Sequence, residues 1–261
     1  MQKNVVDQTG RKVSISQFPK RIVSLVPSLT DILHHLALEN ETIGITKFCV
    51  HPAEWIKEKI IIGGTKNPDV HRILSLQPDL ILANKEENNK EDVEQLSNHF
   101  PIWVSDVIHV KDQEELIQQL GEITNRENQA KDLNDKINLA YQSILPTTNK
   151  QKVLYLIWQK PWMAAGQETF INSVLSALGF TNVIRQTRYP ILTQDEIIHL
   201  KPDVVLLSSE PFPFKEKHLA DLQSLLPQSK IKLVDGEIFS WYGPRQIHLP
   251  ALWNELKKNF E

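Results

Sequence analysis

The sequence predicts an α/β protein of two Rossmann-like lobes with mainly parallel sheets, joined by one long backbone helix, with a ligand cleft between the lobes. Three observations predict it. Short β-branched runs alternate with helix-periodic stretches through both halves of the 261 residues, the pattern of an α/β sheet. A central segment carries helical periodicity and no strand signal. Ile73-Leu-Ser-Leu-Gln-Pro-Asp-Leu-Ile-Leu82 is matched by Ile197-Ile-His-Leu-Lys-Pro-Asp-Val-Val-Leu206, so a helix, a Pro-Asp stop and a buried strand are written twice, as an internal duplication would write them.

Taken in order, RIVSLV (21–26) is a β-branched run leading into Pro27-Ser28, after which Leu29, Ile32, Leu33 and Leu36 recur at helical spacing. Apolar runs follow at ETIGIT, KIIIGG, DLILA and PIWV, with helix-like stretches beginning near Pro52, Asp69, Lys90 and Asp112. From Glu127 to Leu145 the residues Ala130, Leu133, Ile137, Ala140, Tyr141 and Ile144 fall on one face, which predicts the longest helix of the chain. Pro146 and its polar neighbours break it, and KVLYLIW (152–158) opens a second series. The expected division is a lobe over 1–125, the connecting helix over 126–146, and a second lobe over 147–261.

Composition narrows the function. Twenty-nine Lys and Arg against 32 Asp and Glu leave a net charge of −3, too balanced for a protein that holds nucleic acid by neutralising phosphates. No apolar run approaches the roughly 20 residues of a membrane-spanning helix, and the start, MQKNVVDQTGRKV, lacks the apolar stretch of a secretory signal. A periplasmic or membrane-associated protein is therefore expected if a leader has been removed, and a cytoplasmic one if Met1 is the native start. The single cysteine excludes an internal disulfide and a multi-cysteine metal site. A monomer is expected.

Ligands of open α/β sheets bind beyond the carboxyl ends of the strands. In the second half those ends carry Trp158, Trp162, Arg188, Tyr189, Trp241, Tyr242 and Arg245, an aromatic set that suggests a surface covered by a ligand. In the first half they carry Cys49, His51, Lys66, Asn84 and Lys85, a more polar wall. The arginines and lysines offer positive charge to an anionic chelate. Cys49 and His51, two apart, would share a face in a strand and are weak candidates for one metal. No nucleophile elbow, phosphate loop or carboxylate pair is present, so no enzyme activity is expected and no cofactor is required.

The segments RIVSLVPSLTDILHHL, GITKFCVHP, GGTKNPDVHRILSLQPDLILA, PWMAAGQETFINSVLSALGF, LKPDVVLL and WYGPR resemble, over about the whole chain, the helical-backbone metal receptors. These are solute-binding proteins of ABC importers and include cobalamin-binding and ferric-siderophore-binding members. The resemblance implies two lobes on a rigid helix, limited closure, a permease partner, and docking through one acidic residue per lobe. It places Asp195, with Glu196 beside it, at the second docking position and His71 at the first. His51, Lys66 and Asn84 stand where cobalamin-binding members have aromatic rings, Met163 replaces another, and Tyr189 matches a retained one. The expected ligand is a corrinoid of the cobalamin type, with haem or a ferric siderophore also compatible. The alternatives are an intracellular chelate carrier or sensor without a transporter, and an enzyme acting on a corrinoid through Cys49 or His51.

Overall fold

A computed structural model describes residues 2–147 and 150–258. The chain opens on an antiparallel hairpin, β1 (Gln2–Val6) and β2 (Lys12–Ser16), not expected from the sequence. Its turn is organised by Asp7, whose Oδ1 accepts from the Thr9 and Arg11 amides at 3.0 and 2.9 Å, and Gly10 supplies φ +83°. The other carboxylate oxygen accepts from the Val104 amide at 3.2 Å, which ties the hairpin to the adjoining sheet.

That sheet is built from β3 (Ile22–Ser24), β4 (Thr42–Ile45), β5 (Ile60–Ile61), β6 (Leu80–Asn84) and β7 (Ile102–Ser105), with helices α1 (Pro27–His35), α2 (Trp55–Glu58), α3 (Val70–Leu76) and α4 (Lys90–Ser97) between them. All pairings are parallel and the order is β5-β4-β3-β6-β7. β3 and β6 are buried throughout, so they read as continuous apolar runs rather than alternating ones. α5 (Val110–Thr124) and α6 (Glu127–Gln142) follow.

The expected helix over 126–146 is found as α6, which stops at Gln142. Ser143 closes the end by donating its amide to the carbonyls of Leu139 and Ala140; Pro146 forbids a continuation because it excludes helical geometry just before itself. Ala130, Leu133 and Ile137 form its buried face. Two compact units divide the chain: one runs up to Val107 and takes in Lys111–Ile137, the other comprises Ile108–Val110 and the residues from Asn138 onward.

The second unit holds β8 (Lys152–Trp158), β9 (Trp162–Ala164), β10 (Thr181–Asn182), β11 (Ile191–Leu192), β12 (Val204–Ser208) and β13 (Lys230–Val234). Its helices are α7 (Phe170–Ala177), α8 (Gln194–Leu200), α9 (Glu216–Leu225), α10 (Gly236–Ser240) and α11 (Leu249–Lys257), with a 3-10 turn over Pro244–His248. The sheet order is β11-β9-β8-β12-β13, with β10 also on β8. β8, β10, β12 and β13 are parallel, and β9 and β11 add an antiparallel edge. Leu154, Leu156, Val205 and Leu207 pack with Ile197 and Leu222 into its core.

The duplication seen in sequence is carried through to atomic detail. α3 and α8 each begin on a side-chain cap, Asp69 accepting from the Arg72 amide at 3.0 Å and Thr193 from the Glu196 amide at 3.2 Å. Each ends on a left-handed residue, Gln77 (φ 46°, ψ 57°) and Lys201 (φ 45°, ψ 57°). Pro then blocks the helix and Asp clamps the neighbouring strand: Asp79 accepts from the Lys20 and Arg21 amides, both at 2.8 Å, ahead of β3, and Asp203 from the Lys152 amide of β8 at 2.7 Å.

Candidate functional site

In each sheet two adjacent central strands send their connections to opposite sides. β3 leads to β4 while its neighbour β6 leads to β7; β8 leads to β9 while its neighbour β12 leads to β13. Such a switch point leaves a crevice beyond the carboxyl ends of the two strands, the usual ligand position in open α/β sheets.

The switch point of the second unit is aromatic. Trp158 ends β8 with 37% of its surface exposed and meets Phe212, in the loop after β12, edge to face at 5.6 Å. Phe212 lies 4.7 Å from Phe214, and Phe214, 5% exposed and part of the sheet's core, stacks on the half-buried Trp162 at 6.3 Å with the planes 6° apart. Trp162 therefore backs the site from the core and is not the open ring expected. His218 closes the group against both phenylalanines, its Nδ1 accepting from the Lys215 amide at 2.8 Å. Along the sheet edge Trp158 and Ile191 both pair with Met163, and directly paired residues share a face, which extends an apolar row to Ile191, 63% exposed. Phe212 and Phe214 were not singled out in the sequence. Their signal was the alternation Pro211-Phe-Pro-Phe214, which reads as loop unless the strand before it is known to end at a switch point.

Trp241 and Tyr242 do not belong to an exposed wall, and that expectation is corrected. Trp241 is 8% and Tyr242 4% exposed. Trp241 Nε1 donates to Glu210 Oε1 at 2.8 Å, Ser240 Oγ donates to the same oxygen at 2.7 Å, and the Tyr242 ring packs edge-on against Phe170 at 6.0 Å. An indole with its N–H bonded is a satisfied interior group. Gly236 makes room for this arrangement, since a Cβ there would meet Ser208 Oγ at 2.4 Å and Glu210 Cγ at 2.6 Å. Burial pushes the Glu210 carboxyl up from its ordinary pKa, against the lowering effect of the Ser240 and Trp241 bonds. Arg245 lies over the Trp241 ring at 5.9 Å and pairs with Glu237 at 3.3 Å, so its charge is engaged by the protein.

Arg188 and Tyr189, both half-buried, sit in the loop between β10 and β11. The loop is held by backbone bonds in both directions, Gly166 amide to Arg188 carbonyl at 2.8 Å and Arg188 amide to Gln167 carbonyl at 2.7 Å. A side chain at Gly166 would meet the Gln186 carbonyl at 2.2 Å, so the close approach requires glycine.

Beyond the carboxyl ends of its strands the first unit presents polar loops and the exposed ring of Phe48. Asn84 is buried and knits the loop after β6: its Nδ2 donates to Ser105 Oγ at 3.0 Å, and its Oδ1 accepts from the Glu86 and Glu87 amides at 2.9 and 3.0 Å. It is therefore a loop organiser, not the ligand contact expected. Lys66 Nζ donates to the Glu86 carbonyl at 2.7 Å and Lys85 pairs with Asp106. Phe48, half exposed, and Val50, at 39%, follow β4, with Lys47 5.1 Å from the Phe48 ring centre. Phe48 was missed because one aromatic after a strand carries no distinguishing pattern. His51 is half-buried in the same loop.

Cys49 and His51 do not share a strand face. β4 ends at Ile45, and residues 46–50 form a turn in which Cys49 donates its amide to Thr46 O at 3.1 Å and Val50 to Phe48 O at 2.9 Å. The thiol lies between Thr30 and Thr46 hydroxyls at 3.1 and 3.2 Å, and burial pushes its pKa up, which suppresses the thiolate that metal binding or nucleophilic attack needs. Among the described residues no group of three or more His, Cys, Asp or Glu is arranged to hold a metal ion.

His71 and Asp195 occupy the same place in the duplicated motif, the second residue of α3 and of α8, and both are exposed. Glu196 turns back on its own helix: its Oε2 accepts from the Thr193 amide at 2.7 Å and hydroxyl at 2.8 Å, and those bonds hold its pKa below the ordinary carboxylate value.

Two duplicated α/β units, each with its switch point, are the build of a solute-binding protein of the ABC-importer type. The chain belongs to the periplasmic binding protein family, whose model matches residues 22–226. It is 27% identical over 257 residues to YvrC of Bacillus subtilis, a substrate-binding lipoprotein of an ABC transporter, covering 92% of this chain and 81% of that one. It is 24% identical over 240 residues to the vitamin B12-binding protein of Pectobacterium carotovorum, covering 88% of this chain and 85% of that one. The same fold is found in the periplasmic vitamin B12-binding protein BtuF of Vibrio cholerae (TM-score 0.77, 20% identity, 93% of this chain and 98% of that one). It recurs in the catecholate-siderophore-binding protein VctP of the same organism (TM-score 0.78, 15% identity, 98% and 100%). Among the described residues no helix is long and apolar enough to cross a membrane.

Proposed function

We propose that this protein reversibly binds a corrinoid of the cobalamin type and delivers it to the permease of an ABC importer. The observation that carries the ligand class is the ring wall of the second unit, where Trp158 keeps 37% of its surface exposed beside Phe212 and the row through Met163 to Ile191. Large apolar side chains left open at a switch point favour a flat or globular partner with apolar faces. The charges that would recognise a polyanionic chelate are largely engaged inside the protein, Arg245 by Glu237, Lys85 by Asp106 and Lys66 by a carbonyl. That favours a corrinoid, whose periphery is mostly neutral amides, over haem or a ferric siderophore. The vitamin B12-binding relatives support the same choice. On the permease side Asp195, exposed and unencumbered by the cap that occupies Glu196, is the docking acid of the second unit, and His71 is its counterpart in the first. Delivery through a permease places the protein outside the cytoplasmic membrane.

The test is tryptophan quenching with cyanocobalamin, cobinamide, haemin and a ferric siderophore. Cyanocobalamin is expected to bind tightest, and Trp158→Ala to weaken it about tenfold, the scale of one lost ring contact of about 1.4 kcal/mol, without lowering Tm. Tight binding of haemin alone, or an unchanged affinity in Trp158→Ala, would overturn the proposal.

A further inference from the structure

The switch point of the first unit holds a polar group that its own protein leaves unsatisfied. α1 starts directly beyond the carboxyl end of β3, at the crevice between β3 and β6. Its cap residue is Val26, whose side chain cannot accept a hydrogen bond, its first position is Pro27, and its first turn has no acidic residue. The helix ladder begins only with the Thr30 amide on the Val26 carbonyl at 3.0 Å, so the Ser28 and Leu29 amides lie ahead of it. Beside them is the Ser28 hydroxyl, 1% exposed, which finds no hydrogen-bond partner. Side chains in a first turn lean toward the amino end of the helix, where those amides also point.

The omission is local. Ser24 Oγ donates to the Val26 carbonyl at 3.0 Å, Thr30 Oγ1 to Ser24 Oγ at 2.9 Å, and the Thr46 hydroxyl meets Cys49 Sγ at 3.2 Å. Asn88 Nδ2 donates to the carbonyls of Leu25 and Thr65 at 3.3 and 2.9 Å, pinning the loop after β6 and the glycine loop after β5 around the same end. Every neighbouring polar group named here is bonded; Ser28 Oγ is not. An orphan hydroxyl in the interior is a cost to stability, and a fold retains such a cost most readily where a ligand relieves it.

We infer that the amino terminus of α1 is a seat for an acceptor oxygen of the ligand, a phosphodiester or an amide carbonyl arm, taken by the Ser28 hydroxyl and the Ser28 and Leu29 amides. The helix end brings the partial positive charge suited to such oxygens. The inference deepens the binding role proposed above by naming which part of the ligand the first unit recognises. Because the residue is covered, occupation goes with a local opening around Val26 and Pro27.

The test follows the Ser28 and Leu29 amide resonances of the full chain during titration with cyanocobalamin and, separately, inorganic phosphate, with Ser28→Ala alongside. Both amides are expected to shift with cyanocobalamin. Ser28→Ala is expected to bind it about tenfold more weakly, the size of one hydrogen bond to a charged group, while melting no lower than the parent in the absence of ligand. A lowered melting point or failure to fold in Ser28→Ala would show that the hydroxyl has a structural partner and would overturn the inference. Cyanocobalamin binding with both amides unmoved would overturn it too and leave the proposed function standing. Phosphate shifting both amides in a protein that binds no chelate would keep the seat and sink the corrinoid reading. Silence of both amides toward both probes would end the inference.

Discussion

At the scale of single residues, the aromatic side chains divide by what covers them. Trp158 has an open face, whereas Trp241 is enclosed and bonded through Nε1 to Glu210. Sequence places both at strand or helix ends and cannot separate them, because the deciding neighbour, Glu210, lies 31 residues from Trp241 along the chain. Glu210 carries a pH signature. Its pKa is raised in the folded protein, so the native state holds this proton more tightly than the unfolded chain. The stability this contributes is full below the ordinary carboxylate pKa and is lost as pH rises through the folded value. Glu210→Gln keeps an acceptor for the indole and removes the titration. Thermal melts from pH 4 to 8 are expected to show the parent losing stability, relative to Glu210→Gln, as pH rises through that window; parallel curves would contradict the assignment.

At the scale of elements, the duplicated helix, stop and strand are clamped by one aspartate each. Asp79 accepts two amides just ahead of β3 and Asp203 the first amide of β8, so Asp79→Ala is expected to cost more in urea unfolding. About 1–3 kcal/mol per bond to a charged acceptor sets the scale. Equal losses would mean that the second amide on Asp79 adds nothing. These elements were legible because their signals are local: an apolar run, a helical period, a proline. The β1–β2 hairpin was not, since β1 is almost wholly exposed and only Val13 and Ile15 of β2 turn inward, too few for a periodic signal. Cys49 and His51 were misplaced for a related reason. The apolar run through β4 gives no mark at Ile45, and the turn after it is fixed by the Thr46 carbonyl, not by a glycine or proline.

At the scale of the whole molecule, the repeated motif presents unlike charges. α3 shows His71 and Arg72 where α8 shows Asp195 and Glu196. Of the acids only Asp195 is free of a capping role, so Asp195→Arg is expected to abolish ligand uptake in cells carrying the cognate permease while leaving ligand affinity intact. Glu196→Gln, by contrast, is expected to lower Tm slightly and spare uptake. Uptake that survives Asp195→Arg would place the docking surface elsewhere.

The matched left-handed stops at Gln77 and Lys201 have a consequence for how this chain can be rebuilt. The caps, left-handed stops and aspartate clamps match while the outward residues His71 and Arg72 differ from Asp195 and Glu196, so 70–84 and 194–208 are expected to be interchangeable. A chimera with the two transposed should still fold cooperatively, with the acidic pair now on the first unit and His71 and Arg72 on the second. Such a swap would make the internal repeat a tool for choosing which transporter accepts the protein.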